Sequence, residues 1–316
     1  MGLSSEFSYE DRLGTTAWKQ RMNFQVHHAS DMFSQGRNLF HFENAESLHV
    51  LLYALLKTCG LYGLGNRQFL ELKLETPEWH FSELPTEFDG YRILQLSDLH
   101  LDLDIQLTPR IIEAISGLEY DLCVLTGDFR AASSGPHDVV TQEMAKIVPH
   151  IKKPCFAVLG NHDFLEQVLE LEELGVHFLL NENVEIQTDT GSSIHLVGID
   201  DSSFYETENF DRALSGLTDE EFKILLAHSP DVYRRAASLG FELQLSGHTH
   251  GGQICLPGGI PVMRICRCPS SMIAGCWEHQ GLQGYTSRGT GGCGVAVRFF
   301  CPPEVTLHTL RKTHNE

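Results

Sequence analysis

The chain has 316 residues, 42% of them apolar, and a formal net charge of -19. That length and apolar share suffice for a full hydrophobic core and exclude wholesale disorder. The acidic excess argues against a nucleic-acid partner, whose phosphate backbone is held by clustered Lys and Arg.

An acidic protein that handles an anionic substrate needs local positive charge, and bound metal is one source. The first thirty residues lack a basic start followed by an apolar core, so no secretory signal is expected. Nine cysteines, an odd number, fit a reducing compartment and a cytoplasmic location. Residues 1 to about 44 show no sustained period and read as a loosely packed extension.

Leu48 to Leu64 reads as an amphipathic helix. Leu48, Leu51, Leu52, Leu55 and Cys59 share one stripe, Asn44 stands where a cap belongs, and Gly60 is a natural end. His49 and Lys57 inside a short segment speak against a membrane span. Two readings remain: a helix packed on its own domain, or one lying on the inner face of a membrane as a peripheral contact. Residues 1–88 are thus expected as an N-terminal extension carrying this helix, and 89–316 as the main domain. Leu70, Leu72 and Leu74 alternate with charged residues, as in a half-buried strand.

Arg92–Leu96 reads as a strand that runs into Ser97-Asp98-Leu99-His100. A helix follows to about Ser116, with Thr108 as cap and Pro109 at its first position. Leu122–Leu125 is a buried strand before Thr126-Gly127-Asp128, followed by a helix from Asp138 to Val148. Cys155–Leu159 leads into Gly160-Asn161-His162-Asp163, and the next helix stops at Gly175. Short strands with a Thr190-Gly191 turn fill Val176 to Asp200. Phe222–Ala227 ends in His228, and a helix covers Pro230 to Leu239. Phe241–Leu245 precedes Gly247-His248-Thr249-His250, and Val305–Leu310 is the last strand.

Five strands therefore end in residues of metal-binding type. Alternation of strands and helices predicts an α/β fold with ligands at the carboxyl ends of its strands. His248 and His250, two apart in an extended segment, are expected to face one point. Each segment alone has a plainer account: Asp98 as a turn cap, Asp128 as a loop start, His228 as a satisfied core histidine. The joint occurrence favours a metal site. Cys266, Cys268 and Cys276 could hold structural zinc or be small buried side chains. His27, His28, His41, His80 and His279 fall outside the motifs. Trp277 and Tyr285 read as packing residues of the glycine-rich region.

Asp98-x-His100, Gly127-Asp128, Gly160-Asn161-His162-Asp163, His228 and Gly247-His248-x-His250 resemble the signature of calcineurin-like metallophosphoesterases. The resemblance covers about Tyr91 to Leu310. It implies a four-layer αββα sandwich, two mixed β-sheets flanked by helices, and a binuclear metal centre. By resemblance, Asp98, His100, Asp128 and His250 hold one metal; Asp128, Asn161, His228 and His248 hold the other, with Asp128 as bridge. His162 is the implied catalytic residue, contacting phosphate and helping the leaving oxygen depart, with Asp163 as partner for its ring. Mixed nitrogen and oxygen donors suit manganese, iron or zinc better than magnesium alone.

His228-Ser229-Pro230-Asp231, the stretch through Gly251-Gly252-Gln253, and Tyr285-Thr286-Ser287-Arg288-Gly289 further resemble a bacterial phosphodiesterase branch. That branch includes the chlamydial type of UDP-2,3-diacylglucosamine pyrophosphatase. The expected substrate is accordingly a phosphodiester or pyrophosphate, with a nucleotide-linked lipid as the sharper version. The alternative is a non-catalytic metal-binding scaffold that retains the fold. The common pattern Gly-Asp-x-x-Asp is broken here, where Ala131 stands in the last position. Arg130 beside it either faces substrate phosphate, for which a guanidinium is suited, or pairs with an acid on the surface.

Overall fold

The computed structural model describes residues 9–31, 46–132, 135–152 and 154–313. Asn44, His41 and the side chains of His27, His28 and Leu48 lie outside this description. The polar start forms helices α1 (Tyr9–Leu13) and α2 (Thr15–Asp31). Two helices, α3 (Glu46–Thr58) and α4 (Tyr62–Phe69), stand where one was expected over 48–64. Gly60 makes the break: its φ of +70° is left-handed, a conformation glycine takes without Cβ strain.

Strands β1 (Lys73–Glu75), β2 (Glu78–Phe81) and β3 (Arg92–Leu96) lead to α5 (Leu107–Ser116). Thr108 does not cap α5; Gln106 holds that position, and the Thr108 hydroxyl is buried without a partner. Next come β4 (Leu122–Thr126), α6 (Asp138–Ile147), β5 (Cys155–Val158), α7 (Glu166–Glu173), β6 (His177–Phe178), β7 (Glu182–Gln187) and β8 (Ser193–Gly198). A short α8 (Phe210–Ala213) precedes β9 (Lys223–Leu226), α9 (Tyr233–Ser238) and β10 (Leu243–Ser246). The glycine-rich end supplies β11 (Cys255–Leu256), β12 (Ile260–Pro261), β13 (Gly275–His279), β14 (Leu282–Thr286) and β15 (Glu304–Lys312).

The strands form two large mixed sheets. One runs β1-β15-β3-β4-β5-β6, with β2 also on β15; the other runs β13-β14-β10-β9-β8-β7. Their facing sides share a core in which Ile93, Val124 and Val158 meet Leu196, Ile224 and Leu245. The outer face of the first sheet, with Leu94, Leu96 and Leu125, is covered by α5, α6 and α7 through Ile111, Met144 and Leu171. The outer face of the second, with Val197 and Leu225, is covered by α8 and α9 through Phe210, Tyr233 and Ala236. This is the expected order of layers: helices, sheet, sheet, helices. The runs β3, β4 and β5, buried on both faces, pair in parallel, as do β8, β9, β10 and β14. Parallel strands place all their carboxyl ends on one edge of the sandwich.

The described residues before Asp89 pack on the rest of the chain, including those of the stretch up to residue 44 that read as a loosely packed extension. Strands β1 and β2 pair with β15, and Leu13, Ala17 and Phe69 join the core. Arg21 reaches inward to form a 2.7 Å ion pair with Asp200, both side chains fully buried. Its other amino group donates to the Asp163 carbonyl at 2.8 Å, and its guanidinium lies 4.0 Å from the Tyr205 ring centre. Removing one member leaves a buried charge without its counterion. Arg21→Ala should therefore lower unfolding stability by about 3–5 kcal/mol. Urea unfolding checks this; a change near zero would show that α2 does not anchor the domain. Among the described residues, no helix is long and apolar enough to cross a membrane.

Candidate metal centre

The ends of β3, β4, β5, β9 and β10 converge, and each is followed at once by residues with lone pairs. Tight turns are needed to bring those side chains back over the sheet edge. Asp98, His100, Asp128, His248 and His250 all have positive φ, between 43° and 69°. Non-glycine residues rarely hold this conformation, and such strain collects at functional sites. The glycines beside them serve close approach. A Cβ on Gly160 would sit 2.2 Å from Asp128 Oδ1, and one on Gly247 would sit 2.3 Å from Asp98 Oδ2.

The donor atoms of Asp98, His100, Asp128 and His250 lie within 4.8 Å of one another, all buried. His100 Nδ1 is 2.7 Å from the Arg130 carbonyl. A nitrogen facing a carbonyl must carry the proton, so Nε2 presents a lone pair. It faces His250 Nε2 at 3.2 Å and Asp128 Oδ2 at 3.6 Å. Asp98 Oδ1 is 3.5 Å from the same His250 nitrogen. His248 N–H donates to Asp98 Oδ1 at 3.0 Å, and Ser97 Oγ–H donates to Oδ2 at 2.6 Å, which fix that carboxylate.

A second group adjoins the first through Asp128. His228 Nδ1–H points to the Thr126 carbonyl at 2.8 Å, so its Nε2 faces inward, 3.3 Å from Asp128 Oδ2 and 3.0 Å from Asn161 Oδ1. His248 Nδ1 is 2.8 Å from that same Asn161 oxygen. The structure therefore sends His248 and His250 to different groups. Both have positive φ and the chain is not extended there, so the expected same-side alternation does not apply.

Burial dominates the ionisation around His100. Burial lowers its pKa to about 4 despite Asp128 nearby. His250 is pushed well below its ordinary value by burial and by His100. Both imidazoles are therefore neutral at neutral pH, the form that binds metal. Burial raises Asp98 to about 6. Asp128 is held well below its ordinary value: His228, His162 and His100 overcome its burial. His228 goes the other way. Its burial is outweighed by Asp128, and its pKa rises to about 10. Without a cation, a proton on His228 Nε2 joins it to Asp128 and Asn161. With that proton gone, lone pairs face lone pairs across both groups, and a divalent cation fits each cluster of nitrogen and carboxylate donors.

His162 stands beside the first group, its ring 5.2 Å from that of His100. Its Nδ1 faces the Ala131 carbonyl at 2.9 Å. Asp163 is not the partner of this ring. Its carboxylate accepts the N–H groups of Asp128, Phe129 and Gly160 and the Gln167 amide at 2.7–2.9 Å. It staples the turns after β4 and β5 together. Arg130 is fully buried. Its Nη2 donates to the Gly135 carbonyl at 3.1 Å, and its guanidinium lies 4.3 Å from the Phe164 ring centre.

Two supports escaped the sequence reading. Ser97 holds Asp98, as above. Arg298, fully buried, donates to the carbonyls of Arg288, Gly291 and His250, knitting the glycine-rich loop under the centre. Nothing in the local sequence separates Arg298 from a surface cation; only the unusual density of nearby glycines marks a place where backbone carbonyls crowd together.

Two mixed sheets between helices, with Asp, His and Asn side chains gathered at the strand ends, define a metal-dependent phosphoesterase. The profile of the calcineurin-like phosphoesterases matches residues 91–252, and the chain belongs to that family. It is 31% identical over 266 residues to the metallophosphoesterase YkuE of Bacillus subtilis (strain 168), over 80% of this chain and 91% of that protein. It is 32% identical over 229 residues to YkoQ of the same strain, over 69% of this chain and 83% of that protein. A transmembrane protein with metallophosphoesterase domain from Danio rerio is 27% identical over 283 residues, 83% of this chain and 62% of its own length. Membership makes the chain a phosphoric ester hydrolase with divalent metal as its cofactor.

Proposed function

We propose that the chain hydrolyses a phosphodiester or pyrophosphate bond with two divalent ions, manganese, iron or zinc, on a substrate that carries an apolar group. The observation behind this reading is the sharing of Asp128 between the two donor groups. Asp98, His100, Asp128 and His250 would hold one ion, and Asp128, Asn161, His228 and His248 the other. Bound there, two ions polarise a phosphoryl oxygen and lower the pKa of water. His162 would place its ring against the phosphate and move a proton at the leaving oxygen. Arg130, behind the turn after β4, would add positive charge toward the phosphate.

The apolar group is supported by a cavity of about 380 Å³ that opens beside His250. Leu52, Ile254, Val262, Ile265 and Val295 wall it. A pocket with one polar end at the chemistry and apolar walls elsewhere suits an amphiphile. Steady-state hydrolysis with added manganese tests the reading. A phosphodiester and a nucleotide-linked lipid should turn over faster than a phosphomonoester, and a chelator should stop all three. Preference for the monoester would overturn it. The scaffold alternative is disfavoured because a protein without catalysis has no need of a complete donor set and of His162 together.

Helix α3 bears on how such a substrate arrives. Its inner row, Leu52 and Leu56, packs with Val295 and Val297. The stripe named from the sequence is split: Leu52 belongs to this inner row, whereas Leu51, 65% exposed, and Leu55, 57% exposed, point outward. Val262 and Met263 are also exposed and line the cavity with Leu52. An apolar surface of this kind marks an interaction site, and we read it as peripheral contact with a membrane. Leu51→Glu with Leu55→Glu should abolish sedimentation with neutral phosphatidylcholine vesicles. Because both side chains are exposed, the melting temperature and hydrolysis of a small soluble diester should not change. Vesicle binding that survives the double change would remove α3 from the contact.

A further inference from the structure

A second set of metal-binding side chains lies away from the centre just described. Asp231 belongs to the single helical turn Pro230–Val232 that follows β9 and His228. Cys266 and Cys268 belong to the irregular segment between β12 and β13. One Asp231 oxygen and the two sulfurs lie within 4.8 Å of one another. We propose that Asp231, Cys266 and Cys268 form a separate thiolate site that takes zinc and pins this segment to the end of β9.

The carboxylate supplies a second, independent observation. Its Oδ2 accepts the Arg267 N–H at 3.2 Å. Its Oδ1 is buried and has no hydrogen-bond partner. A buried carboxylate oxygen left without a donor is costly, and native structures supply a donor or a cation. Cys268 is buried and Cys266 partly so, so neither is a freely solvated thiol. The hydrogen bond between them lowers Cys266 and raises Cys268. A metal would take both as thiolates and release their protons. Tetrahedral zinc, with bonds of about 2.0–2.3 Å, sets its donors roughly 3.5 Å apart, within the 4.8 Å that bounds the three donors here. A cavity of about 520 Å³ borders Asp231.

The third thiol considered from the sequence is elsewhere. Cys276 is exposed on β13, on the side of Glu304 and Glu75. Soft sulfur donors separate this site from the other centre, whose donors are nitrogen and oxygen only. The two can therefore hold different metals. The pin also has a place in the architecture. Ile265, the residue before Cys266, is part of the wall of the apolar cavity beside His250.

Cobalt is the probe, because thiolate ligands give it a near-ultraviolet charge-transfer absorption that nitrogen and oxygen ligands do not. The reduced full chain titrated with Co²⁺ should develop this absorption, and Zn²⁺ should displace it. Cys266→Ser with Cys268→Ser should lose the absorption and about one equivalent of zinc while still turning over a soluble diester, which also reports that it is folded. Asp231→Asn should keep the absorption but bind more weakly by at least about tenfold, the lower end of what losing even an outer partner costs. Cys276→Ser should behave as wild type. No thiolate absorption in wild type, or its survival in the double serine variant, overturns the site.

Discussion

Asp128→Asn should empty the metal centre. Metal content by mass spectrometry should fall at both positions, and kcat/KM by at least about a thousandfold, well beyond the ~10–100-fold cost of losing an outer partner. The reason lies in how the carboxylate is used. Oδ1 is committed to the His162 N–H at 2.9 Å. Oδ2 alone faces His228 Nε2 at 3.3 Å and His100 Nε2 at 3.6 Å. An asparagine keeping the first contact must put its NH₂ group where Oδ2 was, and an amide nitrogen with two protons offers a cation nothing. Asp98→Asn is the contrast. Asp98 lies against His250 at 3.5 Å, in one group only, so its loss should leave the other position filled. Equal metal loss in the two variants would contradict Asp128 as the shared ligand.

The centre was legible because its donors lie two to four residues past strand ends, and apolar runs such as Leu122–Leu125 betray those ends directly. What held the donors in place was harder to read. The Asp163 carboxylate is adjacent to His162 in sequence, yet it serves three backbone N–H groups on two turns. Sequence adjacency says nothing about that direction. His248 and His250 look like a strand pair, but the left-handed backbone at both, just after β10, separates them. Arg21 was missed for a related reason. Helix α2 is polar by composition, and its inward face mixes Ala17, Trp18 and Met22 with Arg21, which is paired to Asp200, so apolar periodicity gives little signal. On α3 the leucine spacing was only partly informative: Leu52 packs inward with Leu56, which the stripe omitted, while Leu51 and Leu55 face outward.

His162→Ala should keep its metal and lose kcat by about a hundredfold or more, the range for a positioned acid–base group. The contact that His162 makes with the centre is through its backbone, the N–H on Asp128 Oδ1, and alanine retains it. Its ring makes no such contribution: Nδ1 is turned to the Ala131 carbonyl at 2.9 Å, and the ring stands edge-on to His100. The side chain is therefore held by the turn after β4, ready for a substrate group and not for a ligand position. KM should change far less than kcat if the ring acts on the departing oxygen, because that interaction grows only toward the transition state. A substrate with a better leaving group, such as a nitrophenyl diester, should lose less than an alkyl diester, since it needs less help to depart. His248→Ala gives the opposite pattern. Its Nδ1 faces Asn161 Oδ1 at 2.8 Å, so metal should be lost together with activity on both substrates. Metal loss in His162→Ala equal to that in His248→Ala would make His162 a ligand. An equal loss of rate on both diesters, with metal retained, would confine it to binding phosphate.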